Sequence, residues 1–415
     1  MNWWQRLQRN SLARLGAILL LLFYAIAIGA DFFAPYDPYA SQPTASLLPP
    51  TEIYWHTPES GQFIGPHVYP TEQGLFDREA CGLTGSSPAT QAPANPQDCS
   101  RELQRDFNKP SPIRFFVQGD DYRLFRLQVP LPTKLSWQKQ ETNESGESKS
   151  VRTFWPQLGF AEVTLFPGIP GNLHFIGTTA EGKLHLLGTD EQGRDQLSRL
   201  IHGSRISLSI GLVGIAISFP IGLFVGGISG YFGGIIDSVL MRLVEVLMTI
   251  PTIYLLVALA AVLPPGLTSA QRFLLIVAIT SFVSWSGLAR VIRGQVLSIK
   301  ELEFVQAVQA MGGRSLYIIV RHVLPQTSTY VIISATLTIP SFIVAESVLS
   351  LIGLGIQEPD PSWGNLLSSA VNPSILVLQP WLIWPPAILI ILTVLSFNLL
   401  GDGLRDALDP RSLQR

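Results

Sequence analysis

Residues Arg290 to Pro325 read RVIRGQVLSIKELEFVQAVQAMGGRSLYIIVRHVLP and form a polar, positively charged segment between two long hydrophobic runs. The part from Glu301 to Met311 consists of helix-forming residues. Its apolar side chains recur at helical spacing and predict one apolar face: Phe304, Val305, Val308 and Met311. Gly312 and Gly313 follow, and glycine permits a sharp reversal of the chain that a residue with a Cβ would resist.

A second short helix is predicted from Arg314 to Val320, and Pro325 suits the first turn of the helix after it. The pattern therefore predicts a compact helix-turn-helix on the charged side of a membrane, which we call the docking segment (Arg290 to Pro325). Two interpretations stay open at this point: a surface on which a partner docks, and an ordinary cytoplasmic loop.

The composition indicates an integral membrane protein. Of the 415 residues, 47% are hydrophobic and only 14% are charged, which lies outside the usual range of soluble proteins. The net charge of −2 gives no reason to expect a nucleic acid partner. The two cysteines, Cys81 and Cys99, both lie in a long polar region, and they can form a disulfide if that region is outside the cytoplasm.

Hydropathy predicts an all-α membrane protein with six transmembrane helices. The predicted spans are Leu15 to Ala34, Ile206 to Ile228, Val239 to Leu263, Phe273 to Leu288, Thr327 to Leu354 and Trp381 to Leu400. Basic residues before the first run place the N-terminus inside; a cleaved signal peptide is the alternative. Threading six spans then places the docking segment and the C-terminal tail in the cytoplasm, in agreement with their arginines and lysine.

Four parts of the chain follow from this topology. They are the cytoplasmic N-terminus with the first span (1–35), an extracytoplasmic region (36–202), a five-helix core with the docking segment (203–401) and a cytoplasmic tail (402–415). Within the second part, Pro49 to Pro112 is rich in turn formers, which favours loops. Alternating apolar residues after Pro112 predict short strands, and hence a β-rich insertion between the first two spans.

The sequence predicts no catalytic residue, no cofactor site and no metal site. It lacks the G-x-x-x-x-G-K-[ST] loop that binds nucleotide phosphates, and its six histidines have no metal-ligand spacing. Energy for any uphill transport must therefore come from elsewhere.

Three residues inside the predicted spans are candidates for a pathway or gate. Glu346 lies about 27 Å along its helix, near the outer interface, where a buried hydrogen bond and a pore-lining role are both open. Pro251 and Pro340 are expected to kink their helices, which suits a pathway wall and is also ordinary in packed membrane bundles.

The docking segment resembles the EAA loop of ABC importer permeases. That pattern has Glu-Ala-Ala, a Gly four residues after the second Ala, and a closing Leu-Pro. Gln306-Ala307-Val308, Gly312 and Leu324-Pro325 occupy those positions here. Gln306 replaces the acidic residue and Val308 the second Ala, which leaves the helix intact and removes a charge at position 306.

Three flanking stretches narrow the resemblance to the dipeptide, oligopeptide and nickel permeases, and to the second of the two permease subunits in such systems. They are LLGTDEQGRDQLSRLIHGSRISL from Leu186, AESVLSLIGLGIQEPDPSWGNLL from Ala345 and FNLLGDGLRDALDPR from Phe397. The region from about Thr51 to Lys183 is longer than the corresponding link in that family.

The resemblance implies the type I ABC importer permease fold and a set of partners. These are a second homologous permease, two ATPase subunits that carry the ATP and Mg, an extracytoplasmic solute-binding protein and the lipid of a bacterial inner membrane. The residues implied to contact an ATPase are Glu303, Gln306, Ala307, Gly312, Gly313, Arg314, Ser315, Leu316, Tyr317, Leu324 and Pro325.

The resemblance also implies that this chain is a transport subunit and not an enzyme, because ATP hydrolysis would take place on its partners. Peptides are the expected substrate, and nickel or another small solute is the alternative. Two readings from other classes are a stand-alone channel or ion-driven transporter, and a membrane anchor that presents the external region as a binding module.

Overall fold

The computed structural model describes residues 3–58, 61–73, 103–142, 148–262 and 267–408. Cys81 and Cys99, the predicted disulfide pair, lie outside the described residues.

The α-helices are α1 (Trp3–Arg9), α2 (Ser11–Ile28), α3 (Ala30–Phe33), α4 (Gln196–Phe232), α5 (Gly234–Thr249), α6 (Thr252–Ala261), α7 (Ser269–Ile299), α8 (Glu303–Ala310), α9 (Ser315–Ile318), α10 (Ser328–Leu351), α11 (Trp363–Ser368), α12 (Pro373–Leu378) and α13 (Pro380–Leu408). The strands are β1 (Tyr54–His56), β2 (Phe63–Val68), β3 (Thr71–Gln73), β4 (Leu103–Arg105), β5 (Ser111–Leu124), β6 (Leu127–Thr142), β7 (Ser148–Phe166) and β8 (Ile169–Thr178).

Five helical stretches in the described residues are long and apolar enough to cross a membrane. They are Ser11–Ile28, Gln196–Phe232, Ser269–Ile299, Ser315–Leu351 and Pro380–Leu408. The segment predicted as the third span is instead the pair α5 and α6, bent by 85°. Pro251 lies at the bend as the N-cap of α6. The chain is thus mostly helical and crosses a membrane several times, with five spans, or six if the bent pair is one span.

The second span is longer than hydropathy predicts because its first turns are polar and buried. α4 begins at Gln196, ten residues before the predicted Ile206. Asp195 caps it by accepting a 2.8 Å hydrogen bond from the backbone N–H of Ser198. Gln196, Ser198 and Arg199 are all buried against the rest of the chain. A hydropathy window excludes these polar residues from the span, although packing and the Asp195 cap keep them helical.

The core of the span bundle depends on a close approach of α4 to α7. A Cβ added at Gly226 of α4 would lie 2.5 Å from the carbonyl oxygen of Ala289 in α7. A residue larger than glycine at that position would force the two helices apart. Beside this contact, Phe219 of α4 packs in one buried apolar cluster with Ile292 and Val296 of α7.

The strands lie between the first two spans and form antiparallel pairs. β1, β2, β5 and β8 form one sheet in that order, and β3–β4 and β6–β7 form two further pairs. In the β5–β8 pair, Phe115 lies opposite Ile176 and Val117 opposite His174. The short helix α3, which follows the first span, packs against both of these strands.

One local expectation for this region is wrong in part. β1 to β4 lie within Pro49 to Pro112, where turn formers favour loops; β1 pairs with the nearby β2, whereas β2 and β3 pair with strands more than 25 residues away. Their aromatic residues also pack together, as Tyr54 does with Tyr69 at 5.2 Å between ring centroids. A composition argument does not detect pairing of this kind.

Candidate functional site

The docking segment folds as two short helices joined at a glycine. α7 ends at Ile299, α8 covers Glu303–Ala310, and α9 covers Ser315–Ile318. Gly312 between them has a φ of +80°, a left-handed conformation that favours glycine. A Cβ built there would meet no atom within 4 Å, so a side chain at this position would project outward.

One side of the docking segment is held by the core of the chain. Val305 of α8 is fully buried and packs in a cluster with Ile318 and Val323 against Ile292 and Val296 of α7. Gln309 adds a polar contact, since its side-chain amide donates a 2.8 Å hydrogen bond to the hydroxyl of Tyr231. These contacts fix α8 and α9 relative to the spans.

The other side of the docking segment is apolar and exposed. Met311 is 78% exposed, and further large apolar side chains are exposed around it: Leu302, Phe304, Leu316, Tyr317 and Val320. The predicted single apolar face of α8 is therefore wrong in part. Val305 and Val308, three residues apart, point inward, whereas Phe304 and Met311 are exposed.

The residues predicted to contact an ATPase lie together on this part of the chain. Those that are exposed are Glu303, Gln306, Ala307, Gly312, Arg314, Leu316, Tyr317 and Pro325. Those that are partly buried are Gly313, Ser315 and Leu324. Gln306, which stands where the related pattern has an acidic residue, donates a 3.2 Å hydrogen bond to the carbonyl oxygen of Glu301.

A group of ion pairs forms at the opposite end of the bundle, where two of the quoted stretches meet. We call Asp190, Arg194, Arg199 and Glu358 the outer cluster, and we name the two ends of the bundle outer and inner after the topology that the sequence predicts. Arg194 Nε lies 2.7 Å from Asp190 Oδ2, and Arg194 Nη1 lies 2.5 Å from Glu358 Oε2. The guanidinium of Arg199 is fully buried and donates a 2.8 Å hydrogen bond to Glu358 Oε1.

The link after the first span completes this outer end. The hydroxyl of Tyr39 donates a 2.6 Å hydrogen bond to Asp360 Oδ1. The backbone N–H of Leu48 donates to Thr189 Oγ1 at 2.8 Å. Residues from three distant parts of the sequence are therefore joined on the outer side by the chain's own hydrogen bonds. No local pattern marks Arg194, Arg199 or Glu358 for this role, because nothing in the sequence indicates which distant carboxylate a given arginine meets.

The candidate gate residues occupy different environments. Glu346 in α10 is fully buried, and its Oε1 accepts hydrogen bonds from Ser350 at 2.7 Å and from Ser362 at 2.8 Å. Of the two roles open for Glu346, this geometry favours the buried hydrogen bond, which ties α10 to the cap of α11. Pro340 is buried inside α10, whereas Pro251 is exposed at the bend.

The part of the chain that the structure describes contains no group of three or more His, Cys, Asp or Glu residues that could hold a metal ion. The arginines of the outer cluster instead pair with carboxylates of the same chain. The arrangement offers paired charges at one end of the bundle and an exposed apolar surface at the other.

Comparison with known proteins agrees with the motifs. The family model for the binding-protein-dependent transport system inner membrane component matches residues 218–414. The model for the N-terminal TM domain of oligopeptide transport permease C matches residues 2–50. Together the two models cover more than half of the chain.

Two curated relatives are similar over the membrane core. The dipeptide transport system permease protein DppC of Bacillus subtilis (strain 168) is 45% identical over 186 residues, 45% of this chain and 56% of the relative. The oligopeptide transport system permease protein OppC of Escherichia coli (strain K12) is 43% identical over 179 residues, 43% of this chain and 57% of the relative. The chain thus spans just over half the length of the curated relatives it matches.

Among solved structures, the inward-facing MetNI methionine ABC transporter aligns with 51% of this chain and 98% of its own chain. The identity is 18% and the TM-score is 0.38. The two matching family models and the relatives' identity over the same core support one conclusion: the chain belongs to the family of binding-protein-dependent transport system inner membrane components.

Proposed function

We propose that this chain is the second permease subunit of an ATP-driven peptide importer. It forms the translocation pathway with a second, homologous permease, receives peptide from an extracytoplasmic binding protein, and is driven by two ATPase subunits that bind the ATP and Mg. The names of the relatives, oligopeptide and dipeptide permeases, favour peptide over nickel as the substrate. The bent pair α5 and α6 serves as the sixth span, and both termini lie in the cytoplasm of a bacterial cell.

The observation that carries this proposal is the exposed apolar surface of the docking segment. Phe304, Met311, Leu316 and Tyr317 present large apolar side chains around the Gly312 turn, on helices whose opposite side is fixed to the spans. Apolar surface on a rigid support is typical of a protein interface. An ATPase that moves this surface would transmit the motion to α7 and α10 as a rigid body.

The test is to separate ATP hydrolysis from uptake with Gly312→Asp. The variant is assembled with the second permease, the ATPases and the binding protein in proteoliposomes. We expect peptide uptake to fall at least tenfold while the protein stays in the membrane and ATP hydrolysis continues. The reason is that the new carboxylate projects into the docking surface and not into the chain's own core.

Gly353→Asp is the matched control. Gly353 has a φ of +77°, a Cβ there also meets no atom within 4 Å, and it follows the other end of α10. The two substitutions therefore impose the same backbone cost at opposite ends of a span. Full uptake by Gly312→Asp, or an equal loss in both variants, would count against docking at Gly312.

A further inference from the structure

Five phenylalanines join the end of the first span to the β5–β8 strand pair. They are Phe32 and Phe33 of α3, Phe115 and Phe116 of β5, and Phe175 of β8, and we call them the phenylalanine cluster. Phe175 is central: its ring centroid lies 5.6 to 6.1 Å from those of the other four. Ring pairs at these distances attach the insertion to the membrane-spanning part of the chain.

The rings of this cluster are not all buried, as they would be in an ordinary aromatic core. Phe115 is 64% exposed, Phe116 is 59% exposed and Phe175 is 37% exposed. In a regular strand consecutive side chains alternate between faces, so one of two neighbouring phenylalanines would normally be covered. Phe116 has a φ of +57°, which a bulky residue rarely adopts, and at this irregularity both rings are exposed. Backbone strain of this kind persists where the resulting arrangement has a use.

The position of the cluster along the first span sets its depth. α2 covers 18 residues and α3 follows directly after Gly29. The hydrocarbon core of a bilayer takes about 20 helical residues, so Phe32 and Phe33 lie at the boundary between acyl chains and headgroups. Leu21 and Ile28 are exposed on α2 at a spacing of seven residues, and Phe32 follows Ile28 by four residues, so helical spacing keeps all three on one face. The exposed face of the span therefore continues into the cluster.

We propose that the phenylalanine cluster anchors the extracytoplasmic insertion to the outer leaflet of the membrane, with the rings of Phe115 and Phe116 inserted at the headgroup–acyl boundary. Aromatic and apolar side chains on an interfacial element bind at this depth by removing apolar surface from water. Arg114, which is exposed beside Phe115, supplies a guanidinium that can bind lipid phosphate. The β5–β8 pair is thereby held against the bilayer surface instead of extending from it.

The other candidate occupant of this face is a protein, either a second copy of the chain or another subunit. Continuity with the exposed face of the first span favours lipid, because Leu21 and Ile28 on that face lie at membrane depth, where acyl chains surround a span unless protein covers it. The proposal does not depend on what the transporter carries, and its test needs no transport. A negative result would leave the proposed function unaffected.

The test measures what surrounds position 116 in the full chain, assembled with the second permease and the ATPases in lipid nanodiscs. Cys81 and Cys99 are replaced by serine, and a nitroxide label is attached to Phe116→Cys or, as control, to Phe107→Cys. Phe107 belongs to the same insertion but packs on Tyr54 and Tyr69. We expect the label at 116 to collide several-fold more often with oxygen, which concentrates in lipid, than with a water-soluble nickel chelate. The label at 107 should show the reverse.

Two results would overturn the proposal: greater access of the nickel chelate at position 116, which places the ring in water, and low access of both reagents, which means that protein covers it. Because substitution at 116 could itself disturb the strand, the unmodified chain is also irradiated with a phospholipid that carries a diazirine on its acyl chain. Adducts are expected on the β5 peptide that contains Phe115 and Phe116 and not on the peptide around Phe107. Absence of adducts on β5 would also overturn the proposal.

Discussion

The two ends of the span bundle differ in how far the chain completes its own contacts. At the outer end, Arg199 is fully buried and its charge is met by Glu358 and Asp190 of the same chain. At the inner end, Val305 is buried, but Phe304, Met311 and Tyr317 around it stay exposed. The outer end therefore pairs its buried charges within the chain, whereas the inner end leaves large apolar side chains uncovered. Substitutions at the two ends should affect different properties: stability at the outer end and coupling at the inner end.

Loss of the buried arginine should have the largest effect on stability. Arg199→Met removes one of the two arginines that meet Glu358 and Asp190, which keep Arg194, and breaking a buried ion pair on one side costs about 3–5 kcal/mol. Because the Glu358 side chain is half exposed, we expect the lower end of that range, about 3 kcal/mol. The measurement is the unfolding transition of the purified chain in mild detergent.

Arg242→Met is the control for this substitution. Arg242 pairs with Glu245 at 3.3 Å, and both side chains are largely exposed. Exposed pairs of this kind contribute about 0.5 kcal/mol or less. Equal destabilisation by the two arginine substitutions would mean that the outer cluster is no more important than a surface pair, and the contrast between the two ends would fail.

Two neighbouring residues in α8 allow effects on stability and effects on coupling to be measured separately within the docking segment. Val305→Ala removes two buried methyl groups and should destabilise the chain by about 1.5 kcal/mol. Phe304→Ala removes an exposed ring and should change stability by less than about 0.5 kcal/mol. In the assembled transporter, Phe304→Ala is expected to lower peptide uptake per ATP hydrolysed more than Val305→Ala does. The reverse order of the two variants in the uptake assay would contradict docking on the exposed side.

An effect that depends on pH is expected at Asp31, where the link after the first span meets α4. Burial raises the pKa of the Asp31 carboxyl, but hydrogen bonds from His202 and Arg205, together with their charges, outweigh burial and lower the pKa from 3.8 to about 2. Because the pKa is lower in the folded chain, the ionised carboxyl stabilises the fold above about pH 4. That stabilisation decreases as the pH falls through 3.8 toward 2.

Asp31→Asn isolates this contribution from that of other carboxyl groups. The difference in unfolding midpoint between the original chain and Asp31→Asn should be constant from pH 7 to about pH 4 and shrink below it. A difference that is unchanged down to pH 2 would show that the ion pair with Arg205 does not set the acid response.

Hydropathy predicted where the spans lie and missed where they begin and end. α7 covers Ser269–Ile299, longer at both ends than the predicted Phe273 to Leu288. Its extension contains the charged residue Arg293, yet Ile292 and Val296 beside it are buried. Pro251 predicted a kink, but its size of 85° depends on packing that the sequence does not state.

For the candidate site, the sequence predicted local backbone conformation but did not predict which distant residues form contacts. Gly312 predicted a reversal, and the residue has the left-handed φ that only glycine adopts without strain. The contact of Arg199 with Glu358 joins residues that are 159 positions apart, and no local pattern marks it. The exposure of Phe304 also depends on tertiary packing, since a helical pattern alone groups it with Val305.

The outer cluster also sets an order of events during synthesis. Arg199 is made 159 residues before Glu358. At about 5–20 residues per second, Glu358 emerges about 10–30 s after Arg199, when the earlier spans are already entering the membrane. Asp190 is available from the start, but the second carboxylate arrives late. The outer end therefore closes near the end of translation, and a nascent chain that stalls before Glu358 differs from a finished one by a guanidinium that still lacks this partner.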